Sequence, residues 1–291
     1  MSAQALSGVT PLLALERISL SFKGVRAVNE IGFEVARGEI CALIGPNGAG
    51  KSSLLNVVSG VYRPESGAIS VDGQRRSHIE PAWAARQGIA RTFQNIALFK
   101  GMSVEDNLLT GTTLTTRASF LEHALSLPRA RRDERRQRAE VAEVLALIGL
   151  TEQRATLVGK LPYGLQKRVE LGRALAARPR LLLLDEPFAG MSAAEKQEMA
   201  ELVLSVNTRL GTTILLIEHD MGLVMDLSDH VVVLDYGRKI ADGPPDVVCR
   251  DEAVIDAYLG VDHGPTNGAR SGATRAAAEG AAAPGAALEV A

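Results

Sequence analysis

The chain has 291 residues, of which 46% are hydrophobic, so it is long enough for one large domain or two small ones. Its formal net charge of −2 at pH 7 gives no indication of nucleic acid as the main partner. Its two cysteines, Cys41 and Cys249, are too few for a disulfide scaffold and are typical of a reducing compartment. The apolar runs have strand length, far below the roughly 18 residues that cross a bilayer, and no secretory signal is visible, so we expect a cytosolic chain.

The first predicted elements lead to a glycine-rich loop. Residues 15–22 and 31–35 are expected to pair as strands ahead of a buried strand over Ile40–Ile44, and a helix is expected over 52–58. Between that buried strand and the helix, residues 45–52 (Gly-Pro-Asn-Gly-Ala-Gly-Lys-Ser) have the spacing of a phosphate-binding P-loop.

The P-loop spacing indicates a nucleotide site. Glycines let backbone N–H groups approach an anion closely, and the N-terminus of the following helix adds its dipole. Lys51 brings a positive charge to the terminal phosphates, and the Ser52 hydroxyl can ligate Mg²⁺. The predicted phosphate-binding residues are Gly45, Pro46, Asn47, Gly48, Ala49, Gly50, Lys51, Ser52 and Ser53.

Short strands and then helices follow the P-loop. Residues 68–71 and 89–93 are predicted to form strands. Gln94 follows them and has an amide that can contact both metal and water. If Gln94 is considered alone, the alternative interpretation is a solvated loop residue. From there to about residue 160 the pattern is helical, with one helix behind Ser103, a predicted N-cap, and another over 131–148. The second helix carries an arginine run, which we interpret as a solvated face or as a surface for acidic lipid or a partner.

Strands and helices alternate again after about residue 160. Leu181–Asp185 and 213–218 predict central strands separated by a helix over Ala193–Leu210. This alternation predicts an α/β fold with a mostly parallel sheet covered by helices. Residues 263–291 consist mainly of Gly, Ala, Pro and polar residues, from which we expect a disordered tail or an alanine-rich helix formed on a partner.

Polar residues at the ends of the two central strands predict catalysis. Asp185 and Glu186 follow four leucines, and the carboxyl ends of parallel strands lie beside the P-loop in an open α/β sheet. We expect Asp185 to hold Mg²⁺ directly or through water, and Glu186, on the opposite side of the pleat, to orient and deprotonate an attacking water. His219 ends the next strand, where it can contact the γ-phosphate.

These motifs occur in the order found in the ATP-binding subunits of ABC transporters, which the chain resembles over about residues 12–261. The resemblance rests on Phe22, 45–52, Gln94, 161–166 (Leu-Pro-Tyr-Gly-Leu-Gln), Asp185, Glu186 and His219. Four further stretches are similar to the ATP-binding protein of high-affinity branched-chain amino acid importers, namely 88–95, 98–102, 218–221 and 232–240.

The resemblance implies an ABC nucleotide-binding domain over residues 1–262, followed by the tail. Such a domain is a RecA-like P-loop NTPase with a mostly parallel sheet, an antiparallel β subdomain and a helical subdomain, which would cover about residues 95–160. The implied cofactors are ATP and Mg²⁺. Phe22 would stack on adenine, and the metal would contact Ser52, Gln94 and Asp185.

The resemblance also implies how the remaining residues act. Glu186 would be the catalytic base, His219 would contact the γ-phosphate, and Gln94 would couple catalysis to the membrane subunits. Gly164 would reach the ATP of a partner cassette across a dimer, from a helix that begins near Gln166 and directs its N–H groups and positive dipole end to that phosphate.

The chain departs from the general ABC pattern in its signature stretch and beyond it. Pro162 and Tyr163 stand where Ser and Gly are usual, Leu165 replaces a Gln, and Ser192 replaces an Asp. Since Pro162 has no hydroxyl, contact with the partner's ATP would rely on the backbone at Gly164. We interpret these changes as marks of a subtype; the alternative is a regulatory cassette that binds ATP and hydrolyses it slowly.

The function implied by the resemblance is that of a peripheral subunit on the cytoplasmic face of the inner membrane that energises a bacterial importer. Its partners would be two transmembrane permease subunits, a second cassette (identical or a paralogue) and, indirectly, a solute-binding protein. Branched-chain amino acids are the expected solute, with other amino acids, urea or amides, and organic acids as alternatives.

Other classes of P-loop protein fit the sequence less well. ABC proteins that act on ribosomes or DNA resemble tandem cassettes or cassettes split by coiled coils, and this chain has one cassette without sustained heptads. A GTPase would need an Asn-Lys-x-Asp motif, which is missing from the sequence. Neither a GTPase nor a small-molecule kinase would need Gln94, Gly164 and His219 together.

Overall fold

The computed structural model describes residues 10–92, 96–115, 122 and 127–259. Gln94 and the tail expected over 263–291 lie outside the described residues, so the sequence-based expectations for them stay predictions.

The described chain alternates strands and helices as expected. In chain order the strands are β1 (Leu13–Phe22), β2 (Val25–Val35), β3 (Ile40–Ile44), β4 (Ser66–Val71), β5 (Gln74–Arg76), β6 (Ile89–Arg91), β7 (Leu181–Asp185), β8 (Thr213–Ile217), β9 (His230–Asp235) and β10 (Arg238–Gly243). The helices are α1 (Lys51–Val58), α2 (Pro81–Arg86), α3 (Val104–Gly111), α4 (Pro128–Leu147), α5 (Tyr163–Ala176), α6 (Ala193–Leu210), α7 (Met221–Leu227), α8 (Pro245–Val248) and α9 (Glu252–Leu259), with short 3₁₀ turns at Thr112–Thr115 and Val158–Lys160.

A central six-stranded sheet carries the P-loop. Its strand order is β10-β9-β3-β8-β7-β6, and all pairs are parallel except the β9–β10 edge pair. Every residue of β3, β7 and β8 is buried, because such strands are covered on both faces and therefore consist of continuous apolar runs. The prediction of a mostly parallel sheet is confirmed.

A second sheet is antiparallel and has the order β2-β1-β4-β5. The strand pair predicted ahead of the P-loop is confirmed, with Leu15 opposite Phe33 on β2 and opposite Ile69 on β4. The pair belongs to this separate sheet, which packs on one face of the central sheet. Because side chains alternate along a strand, Cys41 and Leu43 of β3 face the antiparallel sheet.

The opposite face of the central sheet is covered by helices. Ile40, Ala42 and Ile44 of β3 share an apolar cluster with residues of α3, α4, α5 and α6. The predicted N-cap Ser103 is confirmed, since its hydroxyl accepts a hydrogen bond from Asp106 N–H at 3.1 Å. The helix predicted over 131–148 begins earlier, at Pro128, because proline is favoured at the first helical position.

Two arginines of the run on α4 form ion pairs. Arg138 pairs with Glu134 at 3.1 Å and Arg136 with Asp133 at 3.6 Å. Such pairs are typical of a solvated helix face. Within the described residues, no helix is long and apolar enough to cross a bilayer.

A partly buried histidine, His230, joins the amino end of β9 to its neighbours. His230 Nδ1 lies 3.2 Å from Glu39 Oε1, and Nε2 lies 2.6 Å from Asp242 Oδ1. Lys239 also pairs with Asp242. Burial lowers the pKa of His230, but hydrogen bonds with Asp242, Cys41 and Glu39 outweigh it and raise that pKa to about 12. A charged imidazole therefore joins β9, β10 and the segment before β3.

This ion cluster predicts a pH-dependent contribution to stability. The folded-state pKa of His230 lies above its ordinary value of 6.5. The stabilisation that the charged imidazole contributes to the folded state is therefore complete below pH 6.5 and is lost as the pH rises toward 12. We expect wild type to be more stable than His230→Gln at pH 6, and the difference to shrink by up to about 1.4 kcal/mol per pH unit. Urea unfolding of both proteins at pH 6, 7.5 and 9 measures this. A difference that is constant with pH would contradict a charged His230.

Candidate functional site

The P-loop is held by close contacts between backbones. Gly45, Gly48 and Gly50 have φ values of 141°, 82° and 98°, which non-glycine residues rarely adopt. A Cβ on Gly45 would overlap with the carbonyl oxygen of Leu234, and one on Gly50 with that of Ala27. A Cβ on Gly48 would meet no atom within 4 Å. Gly48 therefore borders open space, as a cradle for a phosphate requires.

The helix after the loop presents its N-terminus to that space. Its first turn consists of Lys51, Ser52 and Ser53, and Ser52 is exposed. The unpaired N–H groups and the dipole of a helix N-terminus attract anions. The predicted phosphate-binding segment thus has the backbone geometry that this function needs.

Lys51 lies where the loop and the strand ends meet. It is 8% exposed, and its Nζ donates to Gly45 O at 2.7 Å and to Pro46 O at 2.9 Å. Burial lowers the pKa of Lys51, while the nearby carboxylates of Glu186 and Asp185 act in the opposite direction. The P-loop follows β3, both acidic residues follow β7, and β8 lies between these parallel strands, so the lysine and the two carboxylates lie at the same edge of the sheet.

Asp185 is buried at the carboxyl end of β7, and one of its two carboxylate oxygens accepts a hydrogen bond from a protein side chain. Arg91 donates to Oδ2 at 2.8 Å. The same guanidinium also donates to Asn56 of α1 and to Ser59, the C-cap of that helix. Oδ1 is buried without a hydrogen-bond partner among the described residues. A buried, unpartnered carboxylate oxygen is costly unless it meets water or a cation, so Asp185 fits a metal ligand.

Glu186 departs from the geometry expected of it. Strand β7 ends at Asp185, and Glu186 has a φ of 49°, in the left-handed region. Its direction is therefore set by a strained turn and not by alternation along a pleat, which corrects the sequence-based expectation. Strained non-glycine residues cluster at functional sites, where the strain fixes a side chain in place.

His219 lies just past the end of β8, beside this turn. Its side chain is 61% exposed, while its backbone N–H donates to Glu218 Oε2 at 3.1 Å. Asp220, on its other side, accepts a hydrogen bond from Lys196 Nζ at 2.9 Å. The imidazole can therefore reach a ligand while its backbone is held on both sides.

Phe22 ends β1, on the hairpin whose second strand contacts the P-loop through Ala27. The Phe22 ring is 41% exposed and meets Tyr62 edge to face, with ring centroids 5.2 Å apart. An exposed aromatic surface next to a phosphate site suits a stacked base. Tyr62 was missed by sequence reasoning, because no local motif marks it.

The signature helix begins earlier than predicted. Helix α5 starts at Tyr163 with Pro162 as its N-cap, and not near Gln166. Pro162 has extended backbone angles, and its carbonyl accepts the first helical hydrogen bond from Gln166 N–H at 3.0 Å. Gly164 therefore lies in the first turn, where N–H groups point outward. A Cβ there would overlap with Glu195 Oε1, so a larger residue would require the Glu195 side chain to move.

Ser192, one of the departures from the ABC pattern, has a clear local role. It is the N-cap of α6 and forms a capping box with Glu195, whose Oε2 accepts hydrogen bonds from the Ser192 N–H at 2.9 Å and from its hydroxyl at 2.8 Å. The aspartate that is usual at this position is an equally good N-cap. The substitution therefore preserves the start of α6.

Three polar residues of the site region escaped the sequence analysis. Arg91 and Glu218 bind partners far away in the sequence, which a local motif cannot reveal. Asn107 is fully buried in α3 and bonds to the backbone of Phe99 and Ser103. Its polarity among apolar helix positions was the one available signal. These hydrogen bonds hold the loop that leads into α3.

Comparison with protein families gives two matches. The family model described as ABC transporter matches residues 28–189, and that of the branched-chain amino acid ATP-binding cassette transporter matches residues 238–264. The second match covers β10, α8 and α9. The sequence is thus similar to both families at opposite ends of the domain.

Curated relatives are similar over nearly their whole length. The high-affinity branched-chain amino acid transport ATP-binding protein BraF of Pseudomonas aeruginosa is 39% identical over 250 residues, which cover 86% of this chain and 98% of that protein. LivG of Escherichia coli, with the same description, is 38% identical with the same coverage.

A solved structure shares the fold. The ADP conformation of an ATP-binding cassette of an ABC transporter superimposes with a TM-score of 0.75 at 30% identity, over 87% of this chain and all of that one.

The P-loop contacts predict unequal effects of two similar substitutions. Gly45→Ala forces a methyl group onto the Leu234 carbonyl, whereas Gly48→Ala adds only the strain of a positive φ. We expect a loss of unfolding free energy of at least about 3 kcal/mol for Gly45→Ala and about 1 kcal/mol for Gly48→Ala. Thermal and urea unfolding compare them, and equal losses would contradict the described loop geometry.

Proposed function

The chain belongs to the ABC transporter family of ATP-binding proteins, and on that premise we propose that it is the ATP-hydrolysing subunit of an importer for branched-chain amino acids. The observation that carries the proposal is that the P-loop with Lys51 follows β3 while Asp185 and Glu186 follow β7, and both strands pair in parallel with β8, so all three residues lie at one edge of the sheet. The similarity to BraF and LivG over almost their full length supports the choice of solute. Other amino acids, amides or organic acids are the alternatives.

ATP binding would use the P-loop as the sequence predicts. The backbone N–H groups of residues 45–53 and the N-terminus of α1 would bind the phosphates, and Phe22 would stack on adenine. Ser52 and Asp185 Oδ1 would hold Mg²⁺, which when bound neutralises phosphate charge. Gln94 is proposed as a further metal contact.

Hydrolysis would depend on two residues at the strand ends. Glu186, whose backbone is fixed in a strained turn, would orient and deprotonate the attacking water. His219, whose imidazole is exposed, would contact the γ-phosphate. In phosphoryl transfer the protein contributes mainly positioning and charge stabilisation, and both residues supply these.

A second cassette would complete the site. Gly164 and the first turn of α5 would donate N–H groups to the ATP bound by the partner cassette. Tyr163 is 45% exposed beside it and is available for the same interface. We propose further that two permease subunits bind the assembled pair on the cytoplasmic face of the membrane and that a solute-binding protein delivers the solute.

Two substitutions separate binding from hydrolysis. Glu186→Gln keeps the shape of the side chain but removes the base, so ATP affinity should persist while turnover falls by about 10²–10⁴-fold. Lys51→Ala removes the charge that meets the phosphates, so nucleotide binding itself should be lost. Calorimetric titration with ATP and a phosphate-release assay with Mg²⁺ measure the two effects.

Each outcome bears on one role. Near-normal turnover of Glu186→Gln would remove Glu186 from the role of base, and tight ATP binding by Lys51→Ala would contradict the P-loop assignment. Slow turnover by wild type in the complete complex would favour the alternative of a regulatory cassette.

The importer assignment is tested by purifying the tagged chain from its native membranes. We expect two permease subunits and a second cassette to co-purify, and the ATPase rate to rise when a binding protein loaded with leucine, isoleucine or valine is added. Stimulation by an amide or organic acid instead would change the solute. Recovery as a soluble particle with ribosomes or DNA would overturn the transport function.

A further inference from the structure

Glu218 is a buried carboxylate between two loops of the nucleotide site, and neither the sequence motifs nor the proposed function assigns it a role. It is 1% exposed and lies directly between the end of β8 and His219. A buried charge is expensive unless hydrogen bonds compensate for the water that it loses. The partners of Glu218 therefore indicate what it does.

Each oxygen of Glu218 accepts a hydrogen bond from a different loop. The Phe188 N–H donates to Oε1 at 3.3 Å, and the His219 N–H donates to Oε2 at 3.1 Å. Burial raises the pKa of Glu218, and these backbone hydrogen bonds oppose that shift because they favour the charged form. The carboxylate thus bridges the turn after β7 to the segment that carries His219.

The turn that Glu218 contacts is the strained turn that contains Glu186. Glu186 has a φ of 49°, and its N–H donates to Ile217 O at 3.1 Å, one residue before Glu218. The Phe188–Glu218 bond attaches the same turn two residues further on. Backbone strain of about 1–3 kcal/mol persists only where the surroundings enforce it. The end of β8 and the Glu218 side chain provide that enforcement.

The other side of His219 is fixed independently. Asp220 accepts from Lys196 of α6 and caps α7 through the Leu223 N–H. The backbone of His219 is therefore attached to α6 by Asp220 and to the Glu186 turn by Glu218. The imidazole is exposed and projects from this held segment, with its Nδ1 3.8 Å from Glu218 Oε2.

We propose that Glu218 is a positioning residue for ATP hydrolysis, which holds the turn of Glu186 and the segment of His219 in one fixed relation. The proposal rests on the roles proposed above for Glu186 and His219. A carboxylate suits this task because both of its oxygens accept, whereas an amide offers one acceptor and turns its NH₂ group toward a second donor. Glu218→Gln therefore keeps the size of the side chain and can keep only one of the two bonds.

Steady-state kinetics of the full chain test this role. We expect Glu218→Gln to lower kcat by about 10–100-fold, because small displacements of reacting groups cost about that much. The KM for ATP should stay within about threefold of wild type, because the P-loop is untouched. Glu201→Gln, which removes an exposed carboxylate that accepts a hydrogen bond from Gln197 of the same helix α6, is the matched control and should hydrolyse ATP at the wild-type rate.

A double-mutant cycle tests whether Glu218 and His219 act as a unit. If they do, Glu218→Gln combined with His219→Ala should lose clearly less turnover than the product of the two single losses. Losses that multiply would overturn the proposal, and so would a wild-type kcat for Glu218→Gln. Wild-type turnover of His219→Ala would instead contradict the proposed role of His219 itself, so the two failures are distinguishable.

Hydrogen exchange of the full chain provides a readout that needs no turnover. Peptides covering 186–191 and 218–220 should both exchange faster in Glu218→Gln, while peptides of β1 and β2 should be unchanged. Unchanged exchange in either segment would overturn the bridge. Should Glu218→Gln fail to fold, Glu218→Asp keeps the charge on a shorter side chain that cannot span both donors, and the same outcomes apply to it.

Discussion

Close approach of three backbone segments at the carboxyl edge of the central sheet positions the rest of the site. Gly45 packs against the carbonyl of Leu234 on β9, and Gly50 against the carbonyl of Ala27 on β2. Gly237, in the turn after β9, approaches the same Ala27 carbonyl. These contacts leave no room for a Cβ, so they join the antiparallel sheet to the P-loop rigidly. The hairpin that carries Phe22, the P-loop and the central strands are thereby placed together.

Two buried charges at this edge have hydrogen-bond partners that hold them in place. Lys51 donates to the carbonyls of its own loop, and Arg91 neutralises one oxygen of Asp185. Breaking a buried pair leaves an uncompensated charge, which is strongly destabilising, so such pairs fix the directions of their members. The oxygen of Asp185 that Arg91 leaves uncommitted is the one that the proposed Mg²⁺ would use.

Residues that depart from the ABC pattern are accommodated by a linked set of contacts around α5 and α6. Ser192 and Glu195 cap α6, and Glu195 also lies against Gly164 at the start of α5. The Tyr163 hydroxyl lies 3.4 Å from the carbonyl of Ala189, in the loop that follows Glu186. The proposed in-trans surface and the turn that contains Glu186 are therefore supported by the same contacts within each chain.

The features that the sequence determined by itself are those whose information is local. The P-loop, the apolar strands β3, β7 and β8, the N-cap Ser103 and helix α6 follow from spacing, periodicity and capping within a few neighbouring residues, and the structure confirms them. The order of the motifs was enough to indicate the family. The division into domains at about residue 262, the tail and the role of Gln94 stay predictions.

Tertiary structure decided the features that depend on distant partners. Arg91 meets Asp185 across 94 residues of sequence, and Phe188 meets Glu218 across 30. Asp185 and the stretches that contain Arg91 and Glu218 stand out in the sequence, but no local pattern shows which distant residue each of them meets. The left-handed turn at Glu186 is likewise set by the hydrogen bond to Ile217 on a neighbouring strand and not by intrinsic preference. Local spacing thus determined which residues are candidates for the site, and packing between strands decided where their side chains point, because hydrogen bonds and buried charges take their direction from neighbours in space.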